Sequence, residues 1–230
     1  MIELLKQHCF FEDKTIDSCV CLEQQGYCNA NYVIVCGGKK YIVRKLLRTD
    51  RDRNFEYKVQ QLAFLENITA EPLLFDEENG LMVFAFLEGV HKDVLEADDV
   101  KVLADTLIKL HSIQVAKQPV EIKIQNKTNK VLQAFENIGH YPGEYALCHN
   151  DLNAKNIFFT HEAKLIDFEY AGVNDIYFDL ASVCIEFELS EPLQHILLET
   201  YFNSAYTLEK LEAYKVIYKA LVEEWFDTML

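Results

Sequence analysis

The sequence contains no run of 18 apolar residues, and its first residues, MIELLKQHCFFEDK, lack the basic and then apolar order of a signal peptide. These absences predict a cytoplasmic protein that does not insert into a membrane. Cysteine is odd in number, and its seven residues are scattered among apolar neighbours rather than spaced as a disulfide framework. Cys19 and Cys21 would share one face of a strand, but no second Cys or His pair has zinc-finger spacing, so we expect no metal there.

Basic residues are also in short supply, because 22 Lys and Arg stand against 37 Asp and Glu, for a net charge of −15. A surface of this charge repels phosphate backbones, so nucleic acid is not an expected partner. The same charge would draw cations toward a cleft lined by carboxylates. Solubility alone would explain the acidity equally well.

Neither repeats nor low-complexity linkers divide the 230 residues, and the apolar pattern changes once along the chain. The first part has short runs of Val, Ile, Tyr, Phe and Cys broken by glycine, which predict strands. Gly37 and Gly38 between two such runs predict a tight hairpin, and an apolar stripe over residues 53–67 predicts a helix. From about residue 98 the spacing becomes helical, starting with an aspartate cap.

This change of pattern predicts an α+β fold with two lobes, residues 1–88 and 89–230, and a cleft between them. The first lobe would hold a small antiparallel sheet with one helix. The second would be larger and mainly helical.

Polar residues cluster in the stretch CHNDLNAKNIFF, where His149, Asp151 and Asn156 follow the order H-x-D-x-x-x-x-N. The next apolar run ends at Asp167, and a hairpin of the two runs would bring Asn156 and Asp167 side by side. Their oxygens are ligands that suit Mg²⁺, while Asp151 would stay free to accept a proton from a hydroxyl. This is the division of labour of kinase phosphoryl transfer. The alternative is that these residues only form turns at strand ends.

Three stretches, HNDLNAKNI, LIDFEYAG and NDIYFDLASVCIE, resemble the choline/ethanolamine kinase family, within the wider aminoglycoside-phosphotransferase-like kinases. Two further stretches, LADTLIKLHSI and QGYCNANYVI, resemble the family more weakly. The resemblance implies a two-lobed protein-kinase-like fold, with a nucleotide-binding N-terminal lobe and a C-terminal lobe that carries catalysis and the acceptor site. It also implies ATP as co-substrate and Mg²⁺ as cofactor.

Carried over by residue, the resemblance implies that Asp151 is the base, that Asn156 and Asp167 bind magnesium, and that His149 braces the catalytic loop. Arg44 would take the place of the phosphate-pairing lysine of other kinases. Lys45 would point to the opposite face of the strand. The partner carboxylate of Arg44 would be Glu56, with Glu66 as the alternative.

The phosphate loop departs from the common patterns, because neither G-x-G-x-x-G nor G-x-x-x-x-G-K-[ST] occurs. This excludes a P-loop enzyme and an orthodox protein kinase. The related kinases have a similarly glycine-poor loop, which implies a role in ATP binding for Gly26 and Asn29. The adenine would bond to the backbone of the hinge, at Ala85, Phe86 and Leu87.

A cationic alcohol would be recognised by aromatic faces and a carboxylate. Candidates for this acceptor site near the catalytic segment are Tyr170, Tyr177, Asp179 and Glu186. The resemblance adds Trp225 on the last helix, because the family uses aromatic residues late in the chain, although no local motif marks it. Aromatic residues at helical spacing are as often part of the core. A carboxylate between Ile185 and Phe187, in contrast, needs a reason to be there.

The leading hypothesis is an ATP-dependent kinase for choline or ethanolamine. An aminoglycoside or other amino-alcohol or sugar kinase is the alternative, and a catalytically silent nucleotide-binding module is a third. The sequence leaves open the true acceptor, the choice of ATP or GTP, the oligomeric state, and whether the product serves surface glycans or phospholipid synthesis.

Overall fold

A computed structural model of the chain describes residues 1–22, 29–48 and 50–229, with the side chains of residues 228 and 229 left aside. The chain divides into two compact units, Met1–Glu88 and Gly89–Leu230. The first is built around one sheet, and the second is mainly helical.

The N-terminal unit contains a five-stranded antiparallel sheet with the strand order β1-β2-β3-β5-β4. Its strands are β1 Ile16–Cys21, β2 Asn29–Cys36, β3 Lys39–Leu46, β4 Pro72–Asp76 and β5 Leu81–Ala85.

The hairpin between β2 and β3 turns at Gly37 and Gly38, as the sequence predicts. Both glycines have positive φ, +54° and +77°, and Cys36 pairs with Lys39 across the turn. Two consecutive left-handed residues are what a two-residue turn of type I′ requires, and glycine adopts them without steric strain.

Helices accompany the sheet of this unit. Helix α2, Arg53–Leu65, begins where the Asp52 side chain accepts a hydrogen bond from the Phe55 N–H, and it buries Val59 and Ala63. A short N-terminal helix, α1 Ile2–Lys6, was not predicted and adds buried Leu5 to the core formed by the sheet. The structure thus adds a second, shorter helix to the one that the sequence predicts in this part of the chain.

Within its described residues, the C-terminal unit contains five further α-helices. They are α3 Ala97–Ser112, α4 Asn129–Ile138, α5 Ile176–Glu186, α6 Glu191–Phe202 and α7 Leu208–Met229. The N-cap of α3 is Glu96 rather than an aspartate, and the Asp99 carboxylate accepts a hydrogen bond from the Glu96 N–H. The aspartate therefore serves α3 from inside its first turn.

Four short strands of the C-terminal unit form two pairs. β6 Tyr145–Cys148 pairs with β9 Gly172–Asp175, and β7 Ile157–Phe159 pairs with β8 Ala163–Leu165. The polar stretch of the sequence runs from the end of β6 to the start of β7. None of the helices that the structure describes is long and apolar enough to cross a membrane.

Candidate active site

Asp151 lies in the loop that connects β6 to β7, and its carboxylate is held by two amide groups. The Asn156 Nδ2 donates to Asp151 Oδ2 at 2.9 Å and also to the Asp151 backbone oxygen at 2.9 Å. The Asn153 Nδ2 donates to Asp151 Oδ1 at 3.1 Å. These hydrogen bonds therefore fix the orientation of the Asp151 carboxylate.

Burial raises the pKa of the Asp151 carboxyl above its ordinary value, and the negative charge of Asp167 raises it further. His149 and the two amide donors act in the opposite direction. A carboxylate whose pKa lies above that of an exposed aspartate is a better proton acceptor, which is the property a general base needs.

Asp167 reaches this loop through the β7–β8 hairpin. Ile157 pairs with Leu165, and the next bond of the ladder runs from the Ile166 N–H to the Asn156 oxygen at 2.9 Å. Asn156 and Asp167 therefore flank the open end of the hairpin. Asp167 has left-handed backbone angles, φ 65° and ψ 64°, which are uncommon for a residue other than glycine and recur at functional sites.

The residues at this end of the hairpin fit a magnesium ion by the chemistry of their donor atoms. Asn156 uses its amide nitrogen toward Asp151, so its amide oxygen is the atom that it offers to a cation. Asp167 offers carboxylate oxygens. Mg²⁺ prefers oxygen ligands of these two kinds and keeps several waters for phosphate groups.

His149 is fully buried, with 0% of its surface exposed, so it does not contact a substrate. Its Nε2 lies 2.9 Å from the Ile166 backbone oxygen, and its ring packs on Phe168 with centroids 4.8 Å apart. His149 thus braces the loop against the segment that carries Asp167.

Asp179 is also fully buried, on the first turn of α5. Its carboxylate accepts the backbone N–H of His149 at 2.7 Å and that of Asn150 at 2.9 Å, and it lies 3.1 Å from His111 Nε2. The expectation that Asp179 contacts the acceptor is wrong, because all of these partners belong to the interior. Asp179 holds the catalytic loop by its main chain.

Tyr177 was expected in the acceptor site but is 1% exposed. Its hydroxyl accepts the Thr207 N–H at 2.9 Å, and its ring packs against Phe202 with centroids 5.2 Å apart. The Lys210 Nζ lies 4.5 Å from the ring centroid. Tyr177 is therefore a core residue that joins α5 to the start of α7.

Glu186, the last residue of α5, is half-buried. The Tyr218 hydroxyl donates a hydrogen bond to Glu186 Oε1 at 2.8 Å. Burial raises the pKa of the Glu186 carboxyl, the bond from Tyr218 opposes this shift, and the charge of Asp151 adds to it. The carboxylates of Glu186 and Asp151 therefore lie within electrostatic reach of each other.

The two remaining acceptor candidates are partly exposed. Tyr170 ends a 3-10 turn, Phe168–Tyr170, and its backbone oxygen accepts a bond from Asn150 Nδ2 at 3.0 Å. Trp225 stands edge-on to the Phe226 ring, with centroids 5.1 Å apart. It follows Tyr218 by seven residues, so the two share a face of α7 about 10.5 Å apart along the axis.

The N-terminal unit holds a buried ionic cluster on the sheet face that carries Arg44. The Arg44 Nη1 lies 3.0 Å from Glu56 Oε1, and the Arg53 Nη1 lies 2.6 Å from Glu56 Oε2. The Asn29 Oδ1 accepts a bond from Arg53 Nη2 at 3.2 Å. Two guanidinium groups therefore share one carboxylate. Lys45, on the opposite face, reaches the backbone oxygen of Asn79.

The segment expected to form the hinge, Ala85–Leu87, lies at the end of the N-terminal unit. Ala85 pairs with Tyr41 and donates its N–H to the Glu71 oxygen at 2.9 Å. The Lys40 Nζ lies 4.7 Å from the Phe86 ring centroid, and Leu87 packs on the apolar cluster of Ala70, Met82 and Phe84. Gly26, the glycine expected at the phosphate loop, lies outside the described residues.

Sequence reasoning missed three residues of these sites: Asn153, Arg53 and Tyr218. Asn153 stands inside the motif, two residues after Asp151, so its spacing could have indicated it. Arg53 contacts Glu56 of its own helix, three residues later, which is a spacing that could have indicated the pair. Tyr218 contacts a carboxylate of another helix, so no local pattern marks it.

Residues 132–214 match the profile of the phosphotransferase enzyme family, APH. Protein LicA of Haemophilus influenzae is 24% identical over 222 residues, which cover 84% of this chain and 83% of LicA. The choline kinase LicA from Streptococcus pneumoniae has the same fold, with a TM-score of 0.83, 20% identity, and coverage of 98% of this chain and 89% of that one. A spectinomycin phosphotransferase, APH(9)-Ia, solved with ADP and its antibiotic, has a TM-score of 0.74, 12% identity, and coverage of 97% and 87%.

These comparisons confirm the kinase-like α+β fold and the resemblance to choline/ethanolamine kinases among the APH-like kinases. The match to the phosphotransferase enzyme family supports the prediction of a small-molecule phosphotransferase.

Proposed function

We propose that this small-molecule phosphotransferase uses ATP and Mg²⁺ to phosphorylate the hydroxyl of a small cationic alcohol, choline or ethanolamine. The observation that carries the proposal is the arrangement around Asp151. Its carboxylate is oriented by two amide groups, at the end of a hairpin that also presents Asp167.

Asp151 would accept the proton of the substrate hydroxyl as the oxygen attacks the terminal phosphate of the nucleotide. The amides of Asn153 and Asn156 keep its oxygens in one orientation, so little reorganisation is needed at the moment of transfer. Asn156 and Asp167 would hold the magnesium ion. When bound, the ion neutralises the charge of the phosphate groups.

The N-terminal unit would supply the nucleotide site. The guanidinium of Arg44 would pair with phosphate, and Glu56 fixes the orientation of that guanidinium. Asn29 would contribute to phosphate binding through its hydrogen bond with Arg53, which shares Glu56 with Arg44. The backbone of the hinge, Ala85–Leu87, would bind the adenine. Because ATP is the co-substrate, we place the reaction in the cytoplasm.

Glu186 would receive the positive group of the alcohol. It is the half-buried carboxylate that interacts electrostatically with Asp151, so a cation at Glu186 would bring its hydroxyl end toward the base. Tyr170 and Trp225 would offer aromatic faces, which attract an ammonium by about 0.5–2 kcal/mol. The net charge of −15 would favour the approach of a cation.

An aminoglycoside kinase is the second candidate, because the spectinomycin phosphotransferase shares the fold. A substrate with several ammonium groups needs several carboxylates around it. Glu186 is the one acceptor carboxylate that our assignment supplies, which favours an alcohol with a single positive centre.

The test is a measurement of ADP release by the purified protein with Mg²⁺-ATP and, in turn, choline, ethanolamine and an aminoglycoside set. Phosphorus NMR of the product would identify the phosphate ester. Asp151→Asn serves as the control for a contaminating kinase. Phosphate transfer to choline or ethanolamine that disappears in this variant supports the proposal, whereas transfer to aminoglycosides alone would support the second candidate.

A further inference from the structure

Tyr218 lies on α7, 32 positions along the chain from Glu186, and is almost completely buried at 3% exposure. Its ring meets Phe178 of α5 edge-to-face, with centroids 5.6 Å apart and planes at 75°. The ring therefore has little freedom to turn, and its hydroxyl is directed to Glu186 Oε1 at 2.8 Å. A packed aromatic ring is a rigid support for a hydrogen bond.

Glu186 needs such a support because of its position. It is the last residue of its helix and only half-buried, and a glutamate side chain loses more rotamer freedom on ordering than most side chains. Because Glu186 is only half-buried at a helix end, its carboxylate can turn toward water unless a partner holds it. The Tyr218 hydroxyl donates to Oε1 of Glu186, so Oε2 is the carboxylate oxygen to which Tyr218 does not donate.

We propose that Tyr218 is the positioning residue that holds Glu186 in the orientation that receives the positive group of the substrate, and thereby sets the specificity for cationic over neutral alcohols. This inference rests on the proposed function. Tyr218 acts through Glu186 and does not itself contact the reacting atoms.

Two further features support this role. Burial raises the pKa of Tyr218, so its hydroxyl keeps the proton that it donates. Two groups act on the pKa of Glu186 in opposite directions: the hydrogen bond from the Tyr218 hydroxyl lowers it, and the charge of the Asp151 carboxylate raises it. Of these two, the hydroxyl is the one that stabilises the ionised carboxylate.

The experiment compares choline with its uncharged carbon isostere, 3,3-dimethylbutan-1-ol, as alternative acceptors. We would measure kcat and KM for both alcohols in the wild type, Tyr218→Phe, Glu186→Gln and the double variant. Tyr214→Phe is the matched control, because Tyr214 is also a buried tyrosine of α7 and its hydroxyl bonds the carboxylate of Asp175 rather than that of Glu186.

Tyr218→Phe should lower kcat/KM for choline by about tenfold, mainly through KM, because a hydrogen bond to a charged group is lost. In the same variant, kcat/KM for the neutral isostere should stay within about twofold of the wild-type value. The double variant should behave like Glu186→Gln alone, since the hydroxyl acts only through that carboxylate. Tyr214→Phe should leave the ratio of the two alcohols unchanged.

A second variant, Glu186→Asp, keeps the charge and shortens the side chain beyond the reach of the Tyr218 hydroxyl. Like Tyr218→Phe, this variant should lose the preference for choline over the neutral isostere. An unchanged ratio in both Tyr218→Phe and Glu186→Asp would overturn this inference while leaving the proposed function intact. A wild-type enzyme that does not prefer choline or ethanolamine over neutral isosteres would instead overturn the proposed function, and this inference with it.

Discussion

Replacing Asp179 by Asn should damage both the stability of the C-terminal unit and the rate of phosphoryl transfer. The Asp179 carboxylate is fully buried and accepts the N–H groups of His149 and Asn150 at 2.7 and 2.9 Å. These two residues immediately precede Asp151. The side chain therefore sets the position of the main chain that carries the base.

The size of the effect follows from the atoms involved. An asparagine has one acceptor oxygen, so it can serve one of the two N–H groups, and its own NH₂ would face the other. An unsatisfied buried N–H costs about 1–3 kcal/mol, and the bond that remains loses its charge-assisted strength. We expect Asp179→Asn to lower the free energy of unfolding by about 2–4 kcal/mol. A displacement of about 1 Å at the base would lower kcat by about 100-fold.

The assay combines urea unfolding, followed by circular dichroism, with steady-state kinetics at saturating nucleotide and alcohol. Asp98→Asn is the control, since Asp98 is an exposed aspartate of α3 whose carboxylate contacts Lys101 at 3.1 Å. The control should match the wild type in both measurements. If Asp179→Asn also matches the wild type in unfolding and in kcat, Asp179 does not brace the loop and the reasoning fails.

Three other predictions follow from the same sites. Asp167→Ala should weaken ATP binding only when Mg²⁺ is present, as calorimetry with and without a chelator would show; an equal loss in both conditions would mean a structural role. Glu56→Gln leaves two buried guanidinium groups without their shared carboxylate, so it should destabilise the N-terminal unit by about 3–5 kcal/mol, whereas Glu88→Gln, which removes an exposed partner of Lys40, should have little effect on urea unfolding. Equal effects of these two variants would refute the role of the cluster. Because burial raises the pKa of Glu186, this carboxyl takes up its proton at a higher pH than an exposed glutamate. Protonation removes the attraction of Glu186 for a cation, so KM for choline should rise as pH falls through that range. A KM for the neutral isostere that stays level would tie the effect to charge. Parallel rises of KM for both alcohols would refute the role of the Glu186 charge.

Local patterns in the sequence predicted the elements whose stability is local. The Gly37-Gly38 hairpin follows from the need for two left-handed residues, and the apolar stripes predicted α2 and α3. The motif around Asp151 was recognisable because the two amides that hold its carboxylate, Asn153 and Asn156, lie within the same loop of eight residues.

The errors came from elements that depend on distant partners. The apolar runs of the sequence did not indicate β4, a short edge strand that starts with a proline, because pairing with β5 gives it its structure. Helix α5 is buried on nearly all sides, so periodicity could not separate the face toward the core from the face toward a substrate. Tyr177 and Asp179 were placed in the acceptor site for that reason, and both lie in the interior.

Helix α5 connects the two parts of the proposed reaction. Asp179 near its start holds the catalytic loop, and Glu186 at its end interacts with the base from a position seven residues later. Seven residues are about two helical turns, or about 10.5 Å, so both carboxylates lie on one face of the same rigid element. A change that tilts or shifts α5 would move the proposed base and the proposed cation-binding group together. A change at Tyr218 would move Glu186 alone. In this fold, catalytic rate and acceptor specificity therefore have separate supports, and substitutions at the two ends of α5 should separate kcat from KM.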